Sequence, residues 1–217
     1  DRLDAGGSGE DALFYHQQGL TLSHYDAKAH LVVARRVLDS LTPEYSQIGA
    51  VWLPLPHVLN LLPVQIDAFY RTGASGVAIS VLSFALACYA IAHLVARLTG
   101  SRLAAALGVA VFALNPDVLY LQSTPMTEPL LFGLTLLAIS LVYDWLEIEA
   151  AASDARLPAD LSTEALNAKV EARRSRARAG WALVAACLTR YEAWFVTAAV
   201  LTLAGVALRR RGRPMLD

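Results

Sequence analysis

The sequence predicts an all-α, polytopic transmembrane helical bundle with an outer loop that hugs the membrane. Three observations predict it. Hydrophobic residues make up 56% of the 217 positions and charged residues only 17%, with a mean hydropathy of +0.44. A soluble domain of this size carries about 25% charged residues. The apolar mass is uneven: it gathers in 76–147 and 180–208, whereas 1–75 mixes polar and apolar positions. Twelve of the 18 arginines and lysines, finally, fall in three places at the ends of apolar runs. Two regions follow, a first extracytoplasmic loop with interfacial helices over 1–75 and a transmembrane region over 76–217 with a cytoplasmic loop at 147–180.

The opening DRLDAGGSGE lacks an initiating Met and has none of the features of a signal peptide. The chain therefore reads as a fragment of a longer membrane protein, with at least one span upstream. In YDAKAHLVVARRVLDSL, apolar residues recur at 27, 31, 34, 38 and 41, which is helical spacing. Lys28, Arg35, Arg36 and Asp39 take other faces, so this helix lies along the outer interface. GAVWLPLPHVLNLLPVQ over 49–65 is apolar but broken by three prolines, with Trp52 suited to the headgroup level. It reads as a segment dipping against the membrane.

GVAISVLSFALACYAIAHLVARL over 76–98 is long enough to cross a bilayer, which takes about 20 residues. His93 and Arg97 snorkel near its end. After a tight connection at 98–102 comes a shorter helix over 103–116, rich in small residues that permit close packing. Asn115 and Pro116 end or kink it. The third span is 129–146, with Pro129 in its first turn. The polar stretch 147–180 contains a helical pattern beginning with a cap at Ser162. The apolar run 180–208 is interrupted by TRYEAW and ends at Arg209, Arg210 and Arg211.

Basic residues set the sidedness. Of 18 Lys and Arg, twelve fall in three places: Arg97 and Arg102, six between 147 and 180, and four from 209 to 213. The connection 115–128 has none. The three basic places are expected in the cytoplasm, with 1–75 and 115–128 outside. Arginines flank both ends of 180–208, so two half-length helices turning at Arg190–Glu192 fit better than one span. A net charge of −1 gives no case for nucleic acid as a partner. Cys88 and Cys187 sit in apolar runs without metal-type spacing, and no disulfide is expected.

The candidates for chemistry are few. Asp26, ahead of the interfacial helix, is a helix-start acid or a catalytic carboxylate. Glu128, between Pro125 and Pro129, poses the same choice. Asp117 reads as a turn residue. His57 is a satisfied polar group or a substrate contact. His24, Asp26 and His30 crowd together in a way that suggests a divalent metal, yet no third ligand has defined spacing. Arg190 and Glu192, inside an apolar run with Tyr191 between them, are an ion pair or a site. Arginine's planar fork suits a phosphate, such as a lipid headgroup at that depth.

The order of these motifs resembles that of the GT-C glycosyltransferases, in the group of dolichyl-phosphate-mannose protein mannosyltransferases and aminoarabinose transferases. The resemblance spans 24–208 and rests on Asp26 at the head of an interfacial helix, WLPLPH, NPDVLYLQSTPMTEPLLF and LTRYEAW. It implies a GT-C-like fold and a polyprenyl-phosphate sugar donor. It implies an acceptor that is protein, lipid or glycan, and a site facing the periplasm or exterior of a bacterial inner membrane. Asp26 matches that group's loop acid, although Ala27 stands where a second acid is common. Glu128-Pro129 matches its second acid, and Thr189-Arg190 its Thr-Lys. By this resemblance Asp26 and Glu128 are catalytic, His57, Arg190, Tyr191 and Glu192 bind substrate, and no cofactor is required. The alternative class is a transporter or scaffold in which Arg190 and Glu192 form a buried structural pair.

Overall fold

The structure, a computed structural model, describes residues 8–49, 51–154 and 163–211. Among these residues there are helices and turns and no strand. The helices are α1 (Ser8–Gln17), α2 (Tyr25–Arg36), α3 (Leu55–Asn60), α4 (Asp67–Thr72), α5 (Ala74–Thr99), α6 (Arg102–Ala113), α7 (Pro116–Gln122), α8 (Glu128–Asp154), α9 (Thr163–Cys187) and α10 (Glu192–Arg210). Short 3-10 turns cover Tyr45–Ile48 and Pro63–Gln65. Helix α5, the Glu128–Ala151 part of α8 and helix α10 are each long and apolar enough to cross a membrane. The pair α6 and α7, bent by 70°, makes a fourth if it is counted as one span.

Helix α8 is the centre of the bundle. In its most apolar stretch 39% of the residues are buried, against 22% in α5 and in α10, because α8 has neighbours on two faces. Toward α5 the packing is between small residues. Gly76, Ser80, Ser83, Ala87 and Ala90 of α5 are buried at alternating spacings of four and three, which keeps them on one stripe. Gly133 of α8 meets this stripe, and a Cβ at Gly133 would stand 2.6 Å from the Ser83 carbonyl oxygen. Backbones approach this closely only where one side has no side chain. On its other face, Ala138, Val142 and Trp145 of α8 pack with Ala179, Ala182 and Leu183 of α9 and with Ala204 and Leu208 of α10.

Polar contacts fasten both ends. At the end distant from Glu128, Asp144 of α8 takes His93 Nε2 at 2.8 Å and Arg97 Nε at 3.4 Å, both from α5. Arg211 donates to the Leu146 carbonyl at 3.0 Å. At the Glu128 end, Ser80 Oγ donates to the carbonyls of Thr124, at 2.7 Å, and Met126, at 3.2 Å. Gly76 makes room for Pro125, whose Cβ an added side chain would strike. These contacts fix the strand of chain that leads into α8.

Residues 20–49 and 51–72 lie over this end. Leu31 and Ala34 of α2 pack on Val64, and Val33 and Val37 pack on Ile48. Arg35 pairs with Asp39 at 2.8 Å and Asp67 at 2.7 Å and stands 4.6 Å over the Tyr70 ring. The expected interfacial helix over 25–41 ends earlier, at Arg36, because the 38–43 stretch carries Asp39, Ser40 and Pro43, none of which extends a helix well. Asn115, read as a helix end, also begins α7: its Oδ1 accepts from the backbone N–H groups of Asp117 and Val118.

The run 180–208 does turn, over 188–191, but its two arms are not half-length. Helix α9 runs unbroken for 25 residues from the basic stretch into the apolar one, since nothing between Thr163 and Cys187 breaks it except Gly180, which a helix tolerates. Helix α10 has 19 residues, about 28 Å at the usual rise. Ser162 and the chain's first and last residues lie outside the described ones.

The α5–α8 crossing generates a prediction. Gly133→Ala forces the helices apart and costs about 1–3 kcal/mol despite alanine's better helix propensity. Gly108→Ala meets only Ile91 and Val95 methyl carbons at 3.5 Å and stabilises by up to about 1 kcal/mol. Thermal unfolding in detergent, followed by tryptophan fluorescence, separates the two.

Candidate functional site

The residues singled out in the sequence converge at the Glu128 end of the bundle. Thr127 and Glu128 open α8, where the Thr127 carbonyl accepts the N–H of Leu131. Arg190 lies in the 188–191 turn. That turn is held from three sides: Thr189 Oγ1 donates to the Ala185 carbonyl at 3.0 Å, Trp194 Nε1 to the Cys187 carbonyl at 2.9 Å, and the Leu55 N–H to the Leu188 carbonyl at 3.0 Å. The last carbonyls of α9 therefore find donors that the helix itself cannot supply.

Arg190 is the hub. Its Nη1 donates to Glu128 Oε1 at 2.9 Å and to Thr127 Oγ1 at 3.0 Å, and its Nη2 donates to Glu192 Oε1 at 3.0 Å. The charge of Asp26 also acts on it. Glu128 is the more enclosed partner, with its side chain 23% exposed against 59% for Glu192. Its second oxygen, Oε2, is buried and accepts no hydrogen bond. Tyr191 is exposed, its ring edge-on to Trp194 at 5.2 Å.

Asp26 is not the cap of α2. His24 is: its Nδ1 accepts the Asp26 N–H at 3.2 Å. Asp26 stands in the first turn, where a negative charge suits the helix N-terminus. Among the described residues its carboxylate accepts no hydrogen bond and forms no ion pair. Asp117 is likewise a first-turn acid, in α7.

His57 is 1% exposed and both of its ring nitrogens are engaged. Nδ1 lies 3.1 Å from the Leu53 carbonyl and Nε2 lies 3.1 Å from His30 Nδ1. It touches the site through His30, which also packs on Trp52 at 4.6 Å between ring centroids. Burial, with the nearby charges of His57 and Arg190, pushes the His30 pKa down to about 3, and burial lowers that of His57. The two imidazoles, tilted by 42° with their centroids 5.2 Å apart, are thus held neutral.

Three groups were not legible as parts of this site. Thr127 could have been found from MTEP, a threonine placed where a helix cap belongs. His30, read in the sequence only as a member of the His24–Asp26–His30 group, and Asn60 join it through the way separate helices meet, for which local sequence carries no signal. Among the described residues no three His, Cys, Asp or Glu side chains are placed to hold a metal. Comparison with protein-family models, with curated proteins and with solved structures finds no match to this chain.

The histidine pair makes stability depend on pH. The folded-state pKa of His30 lies below its ordinary value of 6.5. The unfolded chain therefore binds the extra proton between these values. Stability is complete above about pH 6.5 and falls as pH drops toward 3, at about 1.4 kcal/mol per unit for one histidine. Thermal unfolding at pH 7 and pH 5 should show a loss of about 2 kcal/mol from this source, and His30→Gln should flatten it.

Proposed function

We propose that this chain belongs to an integral-membrane glycosyltransferase of the GT-C type. It moves a sugar from a polyprenyl-phosphate donor to an acceptor hydroxyl on the outer face of the membrane. The observation that carries the reading is the ion pair of Arg190 with Glu128, an acid far from it in sequence, at 2.9 Å. The arginines near 97–102, 173–178 and 209–211 lie toward the other ends of these helices, which agrees with a cytoplasmic side opposite the site.

Asp26 is the general base, its carboxylate being free of other partners. The acceptor oxygen forms a bond to the anomeric carbon while the bond from that carbon to the phosphate oxygen breaks. The bonding pair leaves with the phosphate, and the acceptor proton goes to Asp26. Arg190 holds the phosphate and stabilises the charge that develops on it. Glu128 orients Arg190 and, with Oε2, receives a hydroxyl. Glu192, the more exposed of Arg190's partners, is the carboxylate that a phosphate displaces. Tyr191 flanks the phosphate position. His57 acts by positioning His30.

One observation favours a second reading. Arg190 directs Nε, Nη1 and Nη2 at side chains of this chain already, as a structural cation in a transporter or scaffold does. Transfer of radiolabelled sugar from polyprenyl-phosphate donors, measured with the full-length protein in membrane vesicles, decides between them. Asp26→Asn should lose about 10²–10⁴ in rate. Glu128→Gln should lose at least about tenfold, since a charge-assisted hydrogen bond to Arg190 goes with it. Near-wild-type transfer by Asp26→Asn removes the base assignment, and no transfer by the wild type from any donor favours the transport class.

A further inference from the structure

Beside the Arg190 cluster lies a cavity of about 20 Å³, room for one water-sized group. His30, Asn60, Thr127, Pro56, Pro125 and Met126 are among the residues that line it. We propose that His30, Asn60 and Thr127 form a subsite for a single hydroxyl group of the donor sugar. This rests on reading the Arg190 face as the seat of a glycosyl phosphate.

The first argument is an orphan. Asn60 is 5% exposed, its Oδ1 is buried without a partner, and its amide makes no hydrogen bond among the described residues. Native structures keep such groups where water or a ligand completes them.

The second argument is a tautomer. A carbonyl oxygen only accepts, so the His57 Nδ1 that meets the Leu53 carbonyl carries the proton. His57 is neutral, so its Nε2 has a lone pair and accepts from His30 Nδ1. His30 is neutral as well, which leaves its Nε2 unprotonated. The Leu53 carbonyl thus fixes, two rings away, an acceptor on a residue that lines the cavity.

The third argument is the mixture of groups. Asn60 Oδ1 and His30 Nε2 accept, whereas the Asn60 amide hydrogens and the Thr127 hydroxyl donate. A hydroxyl, which donates once and accepts, matches this set. A phosphate oxygen cannot donate to the acceptors, an ammonium meets no carboxylate in the lining, and an apolar group leaves the amide unpaired. The source follows from Thr127. Its Oγ1 takes Arg190 Nη1 at 3.0 Å while the residue lines the cavity. A group bound there is one side chain away from a phosphate on Arg190, and the sugar is what is joined to that phosphate.

The test uses the full-length protein in lipid nanodiscs. The probes are polyprenyl phosphate without a sugar and polyprenyl phosphates carrying mannose, glucose or arabinose. Asn60→Leu should weaken the glycosyl lipid that the wild type prefers about tenfold, the loss expected for one well-made hydrogen bond. It should leave the sugar-free lipid unchanged, which also certifies its folding. Arg190→Gln should weaken both. Equal affinity of Asn60→Leu and wild type for the glycosyl lipid overturns the subsite alone. Failure of the wild type to bind any of the four lipids overturns the glycosyl-transfer reading and the sugar assignment with it. A density map that resolves ordered water gives a measurement free of variants. The unliganded protein should hold a water between Asn60 and His30, and a dry cavity overturns the subsite.

Discussion

The close crossing of α5 and α8 is the constraint on which the rest of this end of the molecule depends. Where Gly133 rides over the Ser83 carbonyl, the two helices lie nearer than ordinary side chains permit. At that spacing Ser80, one turn up the same stripe, reaches the carbonyls of Thr124 and Met126. Those carbonyls belong to the short strand that delivers Thr127 and Glu128 to Arg190. A chain of small residues and one hydroxyl thus sets the position of a carboxylate. In lipid, where apolar burial between helices contributes little, such packing and hydrogen bonding are what remain to hold helices together.

The charges divide accordingly. One group, around Asp144, ties α5 to α8 at one end and has an evident structural role. The other gathers two carboxylates, Glu128 and Glu192, around one guanidinium, and the excess is negative. A cluster built only for stability has little reason to carry surplus acid, because like charges in a partly buried place repel.

Much of the helical framework was legible in the sequence. The span read over 76–98 is α5 to within two residues, because its apolar run is bounded by Gly73 and Gly100. The third span was read to end at 146, whereas α8 continues to Asp154, since Glu147 and Glu149 end the apolar run but are good helix formers. Helix α1 has no apolar stripe to reveal it. The turn near Arg190 was legible from the arginines that flank 180–208. What local pattern could not supply is pairing across 27 residues between His30 and His57, or across 62 between Glu128 and Arg190. Those meetings depend on how helices cross, and crossing is settled by packing that no single segment encodes.

The hydrogen bond from the Leu55 N–H to the Leu188 carbonyl has a mechanical meaning. It pins the proline-rich segment to the tip of the α9–α10 hairpin, so the two form one wall. Parting them leaves a carbonyl and an amide without partners, at a cost of about 1–3 kcal/mol. The junction therefore ties the position of Arg190, two residues beyond Leu188, to that of the proline-rich segment that carries His57.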